Sequence, residues 1–172
     1  MHFKSCAGMA GRGMNLARID LPKWSLMAPA TTPPGTYVDC DYVDVAHSVD
    51  LRDFVAAFYG TPLFLAERLV LQLALRRRIP DAEVIDLAEG RTDRFAAWTV
   101  AGRLADQLWL ADVTGATMSW LAVRPQRLGT RLFFGSVVRA RGGRMPIAAR
   151  ILLPAHKLYA RGLLRAAARA LL

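Results

Sequence analysis

The sequence predicts an α+β fold in which a curved antiparallel sheet grips a long C-terminal helix. Two observations predict it, namely the order of the sequence patterns along the chain and the length of the connections between them. One alternating strand is followed by helical periodicity, then by four runs rich in β-branched and aromatic residues, and finally by a second helical region. The connections between the four runs are too short for a crossover, so these strands must pair antiparallel. The predicted order is therefore β-α-α-β-β-β-β-α.

The first strand and the helices after it have clear local signals. Residues Tyr37–Val45 alternate between two faces, and Ser48 offers an N-cap for a first helix that ends at Gly60. Pro62 begins a second helix, and Asp81–Ala88 predicts a short third one. One face of the second helix is apolar, and it consists of Leu63, Ala66, Leu69, Val70, Leu73 and Ala74.

Four predicted strands and a final helix complete the domain. The strands cover residues 95–102, 107–113, 117–124 and 130–139. Helical periodicity returns at Pro146, and Pro154 should kink the last helix or divide it, with residues 155–172 forming its final piece.

The last of these strands is apolar on both faces. Phe133 and Val137 lie on one face, and Leu132, Phe134 and Val138 lie on the other. A sheet with one solvated face alternates more cleanly. The second face must therefore be covered by helices, by a ligand or by another subunit.

The chain of 172 residues fits one domain, residues 35–172, preceded by an extension. Residues 1–34 show no helical or strand period, and we expect them to be a flexible N-terminal extension that contributes little to stability. The positions that interrupt any regular element there are Gly8, Gly11, Gly13, Pro22, Pro29, Pro33 and Pro34.

Positive charge is concentrated in the C-terminal part of the chain. Residues 1–112 carry 12 basic and 14 acidic side chains, whereas the 60 residues after Asp112 carry 11 basic and no acidic ones. An anionic membrane or a nucleic acid would bind this part. The candidate anion-binding residues are Arg141 and Arg144 in a glycine turn and Lys157, Arg161, Arg165 and Arg169 on the last helix. The alternative is a solvated helix face.

Several classes of protein have no support in the sequence. Cys6 and Cys40 form neither a disulfide framework nor a zinc motif. No apolar run is long enough to span a membrane, and the N-terminus does not resemble a secretory signal, so we expect a cytoplasmic protein. No glycine-rich loop begins a helix, and we predict no cofactor and no metal.

Catalytic chemistry has little support either. His156 could act as an acid or base, or could be bonded to backbone at a helix start. Asp39 and Asp41 share a strand face, where they could do acid/base work, bind a cation or protect a sheet edge. Ser119 and Ser136 lie within strands and not in a nucleophile turn.

Short motifs suggest a family. They are Ser119-Trp120-Leu121, Gly129-Thr130-Arg131-Leu132 and Leu153-Pro154-Ala155-His156-Lys157-Leu158-Tyr159. Together with the order of elements, they resemble the START-like superfamily, which has the helix-grip fold and includes lipid-transfer and polyketide-cyclase-like proteins. The local sequence is similar to that of uncharacterised bacterial members, and the resemblance covers roughly residues 36–172. It implies a small apolar ligand between the sheet and the last helix.

The function expected from the sequence is binding of a small apolar or amphipathic molecule. The candidate ligand-binding residues are Trp98, Trp109, Trp120, Phe133, Phe134, His156 and Tyr159. One alternative is a basic surface module that docks on anionic membrane or nucleic acid, and a weaker one is an enzyme that uses His156 with an aspartate. A homodimer that covers the second sheet face stays open as well.

Overall fold

The computed structural model describes residues 16–140 and 147–172. The strands within these ranges are β1 (Leu16–Arg18), β2 (Tyr37–Val45), β3 (Arg94–Phe95), β4 (Trp98–Leu104), β5 (Gln107–Asp112), β6 (Thr117–Gln126) and β7 (Gly129–Val138). The α-helices are α1 (Leu51–Tyr59), α2 (Pro62–Leu75), α3 (Asp81–Ala88) and α4 (Ile147–Ala170). The strands form one antiparallel sheet in the order β1-β2-β7-β6-β5-β4-β3.

The predicted fold class, an α+β antiparallel sheet with a long C-terminal helix, is confirmed. The sheet has two strands more than the sequence predicts. β1 is only three residues long and pairs with β2. The predicted strand 95–102 is interrupted, because Ala96 adopts a positive φ of 51° and turns the chain so that Phe95 pairs with Trp98. This tight hairpin separates β3 from β4.

Helix α4 runs through Pro154 without dividing there. A proline inside a helix leaves the carbonyl four residues earlier without its N–H donor. Arg150 and Pro154 are both exposed, so water can satisfy that carbonyl.

Among the described residues, no single helix is long and apolar enough to cross a membrane. Helices α1 and α2 together, bent by 65°, reach that length and composition.

A glycine–threonine pair anchors the start of β7 to the connection between β2 and α1. Gly129 has a φ of 133°, and a Cβ atom there would lie 1.9 Å from the carbonyl oxygen of Val45, so only glycine fits. The hydroxyl of Thr130 donates to the carbonyl of His47 at 3.0 Å and accepts from the N–H of Val49 at 2.9 Å. These contacts fix the position at which the backbone leaves the sheet and enters α1.

The helices cover one face of the sheet. Leu132 and Phe134 of β7 are buried there against Phe58 of α1 and Leu164 of α4. The rings of Phe58 and Phe134 lie 4.7 Å apart between centroids. Aromatic burial of this kind contributes strongly to core stability.

The N-terminal segment, residues 19–31, covers the other face. Met27 is fully buried and packs in one cluster with Trp120 and Phe133. The Trp24 ring lies edge-on to Trp120, with 5.2 Å between centroids. A Cβ atom at Gly135 would stand 3.1 Å from the terminal methyl of Met27, so the segment rests directly on the strand. The second apolar face is thus covered by the chain itself.

A buried glutamine links this segment to the sheet by hydrogen bonds. The side-chain oxygen of Gln107 accepts from the indole N–H of Trp120 and from the backbone N–H of Leu26, both at 2.9 Å. Each donor would otherwise lack a partner in an apolar layer, which is costly. The flexibility of residues 1–34 stays a prediction, but this packing makes us expect that residues 19–31 contribute substantially to stability.

Replacing Met27 tests that expectation. Met27→Ala should lower the free energy of unfolding by about 2–5 kcal/mol, because it leaves a cavity over the Trp120 layer. Lys23→Ala, an exposed position in the same segment, should change it by less than about 0.5 kcal/mol. Urea denaturation measures both. If Met27→Ala left the free energy of unfolding almost unchanged, the segment would not be part of the folding unit.

Candidate functional site

A cavity of about 240 Å³ lies between the sheet and helices α1, α2 and α4. Most of its wall is apolar, and the larger side chains there are Phe58, Phe64, Trp98, Phe134 and Leu163. Polar side chains also line it, among them Glu67, Ser136, His156 and Tyr159. The arrangement suits a ligand with an apolar body and a polar group.

Strand and helix periodicity bring the polar groups together. On β7, Phe134 and Ser136 are two residues apart and share the face toward the helices. On α4, His156 and Tyr159 are three residues apart and lie on neighbouring positions of one helix face. Glu67 reaches the same cavity from α2.

Ser136 stands between an aspartate and a histidine. Its hydroxyl donates a short hydrogen bond to Oδ1 of Asp39, which is opposite it in the β2–β7 register. The Nε2 atom of His156 lies 2.9 Å from the same hydroxyl oxygen. A serine hydroxyl can donate only one hydrogen bond, and Ser136 donates it to Asp39. The contact with His156 is therefore assigned as a bond that Nε2–H donates, and in the Nε2–H tautomer the other ring nitrogen, Nδ1, is an acceptor.

This arrangement differs from a catalytic triad. In a Ser-His-Asp triad the histidine lies between the serine and the aspartate and removes the serine proton. Here the serine lies in the middle, and Ser136 is almost completely buried. The two hydrogen bonds that link Asp39 to His156 through Ser136 hold the imidazole ring in place, and they do not prepare the hydroxyl for attack.

The carboxyl group of Glu67 forms the second polar contact of the cavity. The hydroxyl of Tyr159 donates a short hydrogen bond to it across the α2–α4 interface. Burial raises the pKa of Glu67 above its ordinary value of 4.5 and outweighs the opposing effects of Tyr159 and His156. Burial and the adjacent carboxyl also raise the pKa of Tyr159. The tyrosine therefore keeps its proton and remains the donor.

Asp39 and Asp41 are buried and bonded, so the hypothesis that they protect a free sheet edge is wrong. Arg18 of β1 places its guanidinium 3.0 Å from Oδ2 of Asp41 and 3.8 Å from Asp39. Arg161 of α4 approaches Oδ1 of Asp41 at 3.6 Å, and the hydroxyl of Tyr37 donates to Asp39 at 2.7 Å. Buried carboxylates need such partners.

The predicted ligand-binding residues fall on two sides of the sheet. Trp98, Phe134, His156 and Tyr159 line the cavity. The structure places Trp120 and Phe133 in the layer that packs on Met27, and Trp109 packs against that layer too.

The predicted anion-binding residues of α4 do not form one open stripe. The ammonium of Lys157 lies over the ring of Tyr37 at 5.3 Å, and Arg161 approaches Asp41 as described above. Arg165 and Arg169 are exposed. Arg141 and Arg144 lie outside the described residues. Anion binding at these positions stays a prediction.

Sequence analysis assigns Ser136 and Glu67 no role in this site, and for Asp39 it leaves acid/base work, cation binding and edge protection open. The signal shared by Ser136 and Glu67 is a polar residue on an otherwise apolar face of a strand or helix. Within residues 16–140 and 147–172, no three His, Cys, Asp or Glu side chains are grouped closely enough to hold a metal ion.

Comparisons of the chain with protein-family models, with curated proteins and with solved structures gave no match. The resemblance to START-like proteins therefore rests on the short motifs and the order of elements alone.

The pH dependence of stability tests the assignment of Glu67. Because its pKa is raised in the folded state, the neutral carboxyl contributes stability that is complete below pH 4.5 and is lost as pH rises through the raised pKa. Glu67→Gln should remove this loss, and its stability relative to wild type should increase with pH.

Tyr159→Phe provides the matched comparison. It removes a hydrogen bond that favours the ionised carboxylate, so the pKa of Glu67 should rise further. The stability lost as pH rises should therefore be larger than in the wild type. Urea denaturation between pH 4 and pH 9 measures the three profiles. Identical profiles for wild type and Glu67→Gln would contradict the assignment.

Proposed function

We propose that the protein binds a small amphipathic molecule in the cavity between the sheet and α4. The observation that carries the proposal is an apolar cavity with a cluster of hydrogen-bonding side chains in its wall. Cavities of this kind usually serve ligand binding, since apolar walls supply affinity and a few polar groups supply orientation.

The size of the cavity limits the ligand. At about 240 Å³ it lies below the range of about 300–1,000 Å³ that is usual for drug-sized molecules. A ligand that fits without rearrangement is comparable to one or two fused rings or to a short acyl chain. A full-length phospholipid is too large for this space.

The charges around the cavity favour a neutral polar group on the ligand. Glu67 lines the wall, and Asp39 stands directly behind Ser136. A ligand carboxylate would meet Asp39 and, above the raised pKa of Glu67, a second carboxylate in a weakly solvated space, where like charges repel strongly. A ligand hydroxyl can instead donate to Nδ1 of His156 or to the carboxyl of Glu67 without carrying charge.

A binding series separates these features. Naphthol should bind saturably, with one molecule per chain. Naphthalene, which lacks the hydroxyl, should bind about fivefold more weakly, because a net hydrogen bond is worth about 1 kcal/mol. Naphthoate should bind more weakly than naphthol. Fluorescence titration at constant ionic strength measures all three.

Matched variants locate the binding. Ser119→Phe adds a ring to the cavity wall and should weaken naphthol binding at least about tenfold. Val113→Phe adds the same ring at a position that is 75% exposed and should leave binding unchanged. Circular dichroism checks that both variants fold. Absence of saturable binding to wild type, or equal binding to Ser119→Phe, would refute the proposal.

A further inference from the structure

Helix α2 exposes apolar side chains, whereas its polar side chains are half-buried. Leu69, Val70 and Leu73 are 60%, 64% and 74% exposed. With their exposed neighbours they form an unbroken apolar surface along the helix, which we name the α2 stripe. It consists of Leu65, Ala66, Leu69, Val70, Leu73 and Ala74.

The polar side chains of α2 are bonded to the protein and leave the stripe without a charge. Glu67 accepts from the α4 tyrosine described above. Arg68 donates to Asp81 at 2.6 Å, and its side chain is only 13% exposed. The side-chain oxygen of Gln72 accepts from the N–H of Ile79 at 3.0 Å. A surface helix normally has the opposite arrangement.

An apolar stripe of this length marks a contact surface, because single-domain proteins rarely expose contiguous apolar patches without a partner. Sequence periodicity places five members of the stripe, all except Leu65, on a common face with Leu63, but it does not give the direction of that face. In the structure, α2 packs on the domain mainly through Phe64, its fully buried residue, and through its bonded polar groups. The stripe itself faces solvent.

Positive charge adjoins the C-terminal end of the stripe. Arg76 and Arg78 follow the helix and are exposed. Within the described part of the chain, neither forms an ion pair, whereas Arg77 between them is paired with Glu83 at 2.6 Å. The partner should therefore offer an apolar region bordered by negative charge.

A second copy of the chain does not meet this requirement. The stripe contains no carboxylate, and the first turn of α2 contains no acidic residue. In an antiparallel pairing of two α2 helices, each pair of arginines would face that first turn and find no acidic side chain there. The net charge of +9 adds repulsion between copies. An anionic bilayer offers both acyl chains and phosphates.

We infer that the α2 stripe docks on the surface of an anionic lipid bilayer. Leu69 and Leu73 insert among the acyl chains, and Arg76 and Arg78 contact lipid phosphates. The 14 residues of α2 extend about 21 Å at 1.5 Å per residue, so the helix lies in the plane of the interface and does not span the bilayer. This inference does not depend on ligand binding in the cavity.

Docking through α2 would bring the cavity next to the membrane. Phe64 and Glu67 of the same helix line the cavity, so α2 forms a wall between the cavity and the bilayer. A small amphipathic molecule dissolved in the bilayer would then need to pass only this helix to reach the cavity.

Vesicle flotation tests the inference. Wild type should float with vesicles of three parts phosphatidylcholine to one part phosphatidylglycerol. Leu69→Gln combined with Leu73→Gln should weaken this binding at least about tenfold, because the double variant no longer has the two leucine side chains that insert among the acyl chains. The control combines Val113→Gln with Leu128→Gln, which are 75% and 74% exposed and lie in turns of the sheet, and it should bind as wild type does.

The arginines are tested in the same assay. Each cation near an anionic surface is worth about 1 kcal/mol, so Arg76→Gln combined with Arg78→Gln should weaken binding about thirtyfold. Pure phosphatidylcholine vesicles should bind wild type weakly and should not distinguish the arginine variant from it.

Three outcomes would overturn the inference. If the wild-type protein does not float with anionic vesicles, the inference is wrong whatever the variants do. Equal flotation of the Leu69/Leu73 variant, with its folding confirmed by circular dichroism, would show that another surface binds. A concentration-dependent dimer of wild type that this variant abolishes, without flotation, would assign the stripe to a second copy of the chain.

Discussion

The antiparallel sheet is apolar on both faces, and the rest of the structure follows from the need to cover both. Phe133 and Phe134 are adjacent on β7 and point to opposite sides, and both are almost fully buried. Residues 19–31 cover one side, and the helices cover the other. A chain without the N-terminal segment would expose the Trp120 layer to water, at a cost that grows with the apolar area.

The two sides are covered to different degrees. The N-terminal side is closed by Met27 and by the hydrogen bonds of Gln107. On the helix side, α2 packs through few buried residues and leaves a cavity beside Phe134. Polar groups in the wall of this cavity bond to one another, because unpaired polar atoms in a weakly solvated space are costly. The same loose packing of α2 leaves its apolar stripe exposed. The cavity and the stripe thus share one structural cause.

Local patterns in the sequence predicted much of the fold but not the direction of its faces. The bounds Tyr37–Val45 and Asp81–Ala88 match the structure, because alternation and helical spacing are local properties. Alternation separates Phe133 from Phe134 but cannot tell which of them faces the helices. Strand β1 has no local signal, since its partners are distant in sequence. The same is true of the contact between Ser136 and His156, which depends on how α4 crosses the sheet.

The central claim is that the space between the sheet and α4 is open and of ligand size, whereas the opposite face is closed. A crystal structure under xenon pressure tests both parts, because xenon enters apolar cavities and avoids packed core. The account predicts xenon beside Phe64, Trp98 and Phe134 and none between Met27 and Trp120. A space filled by side chains without xenon beside Phe134, or xenon beneath Met27, would contradict it.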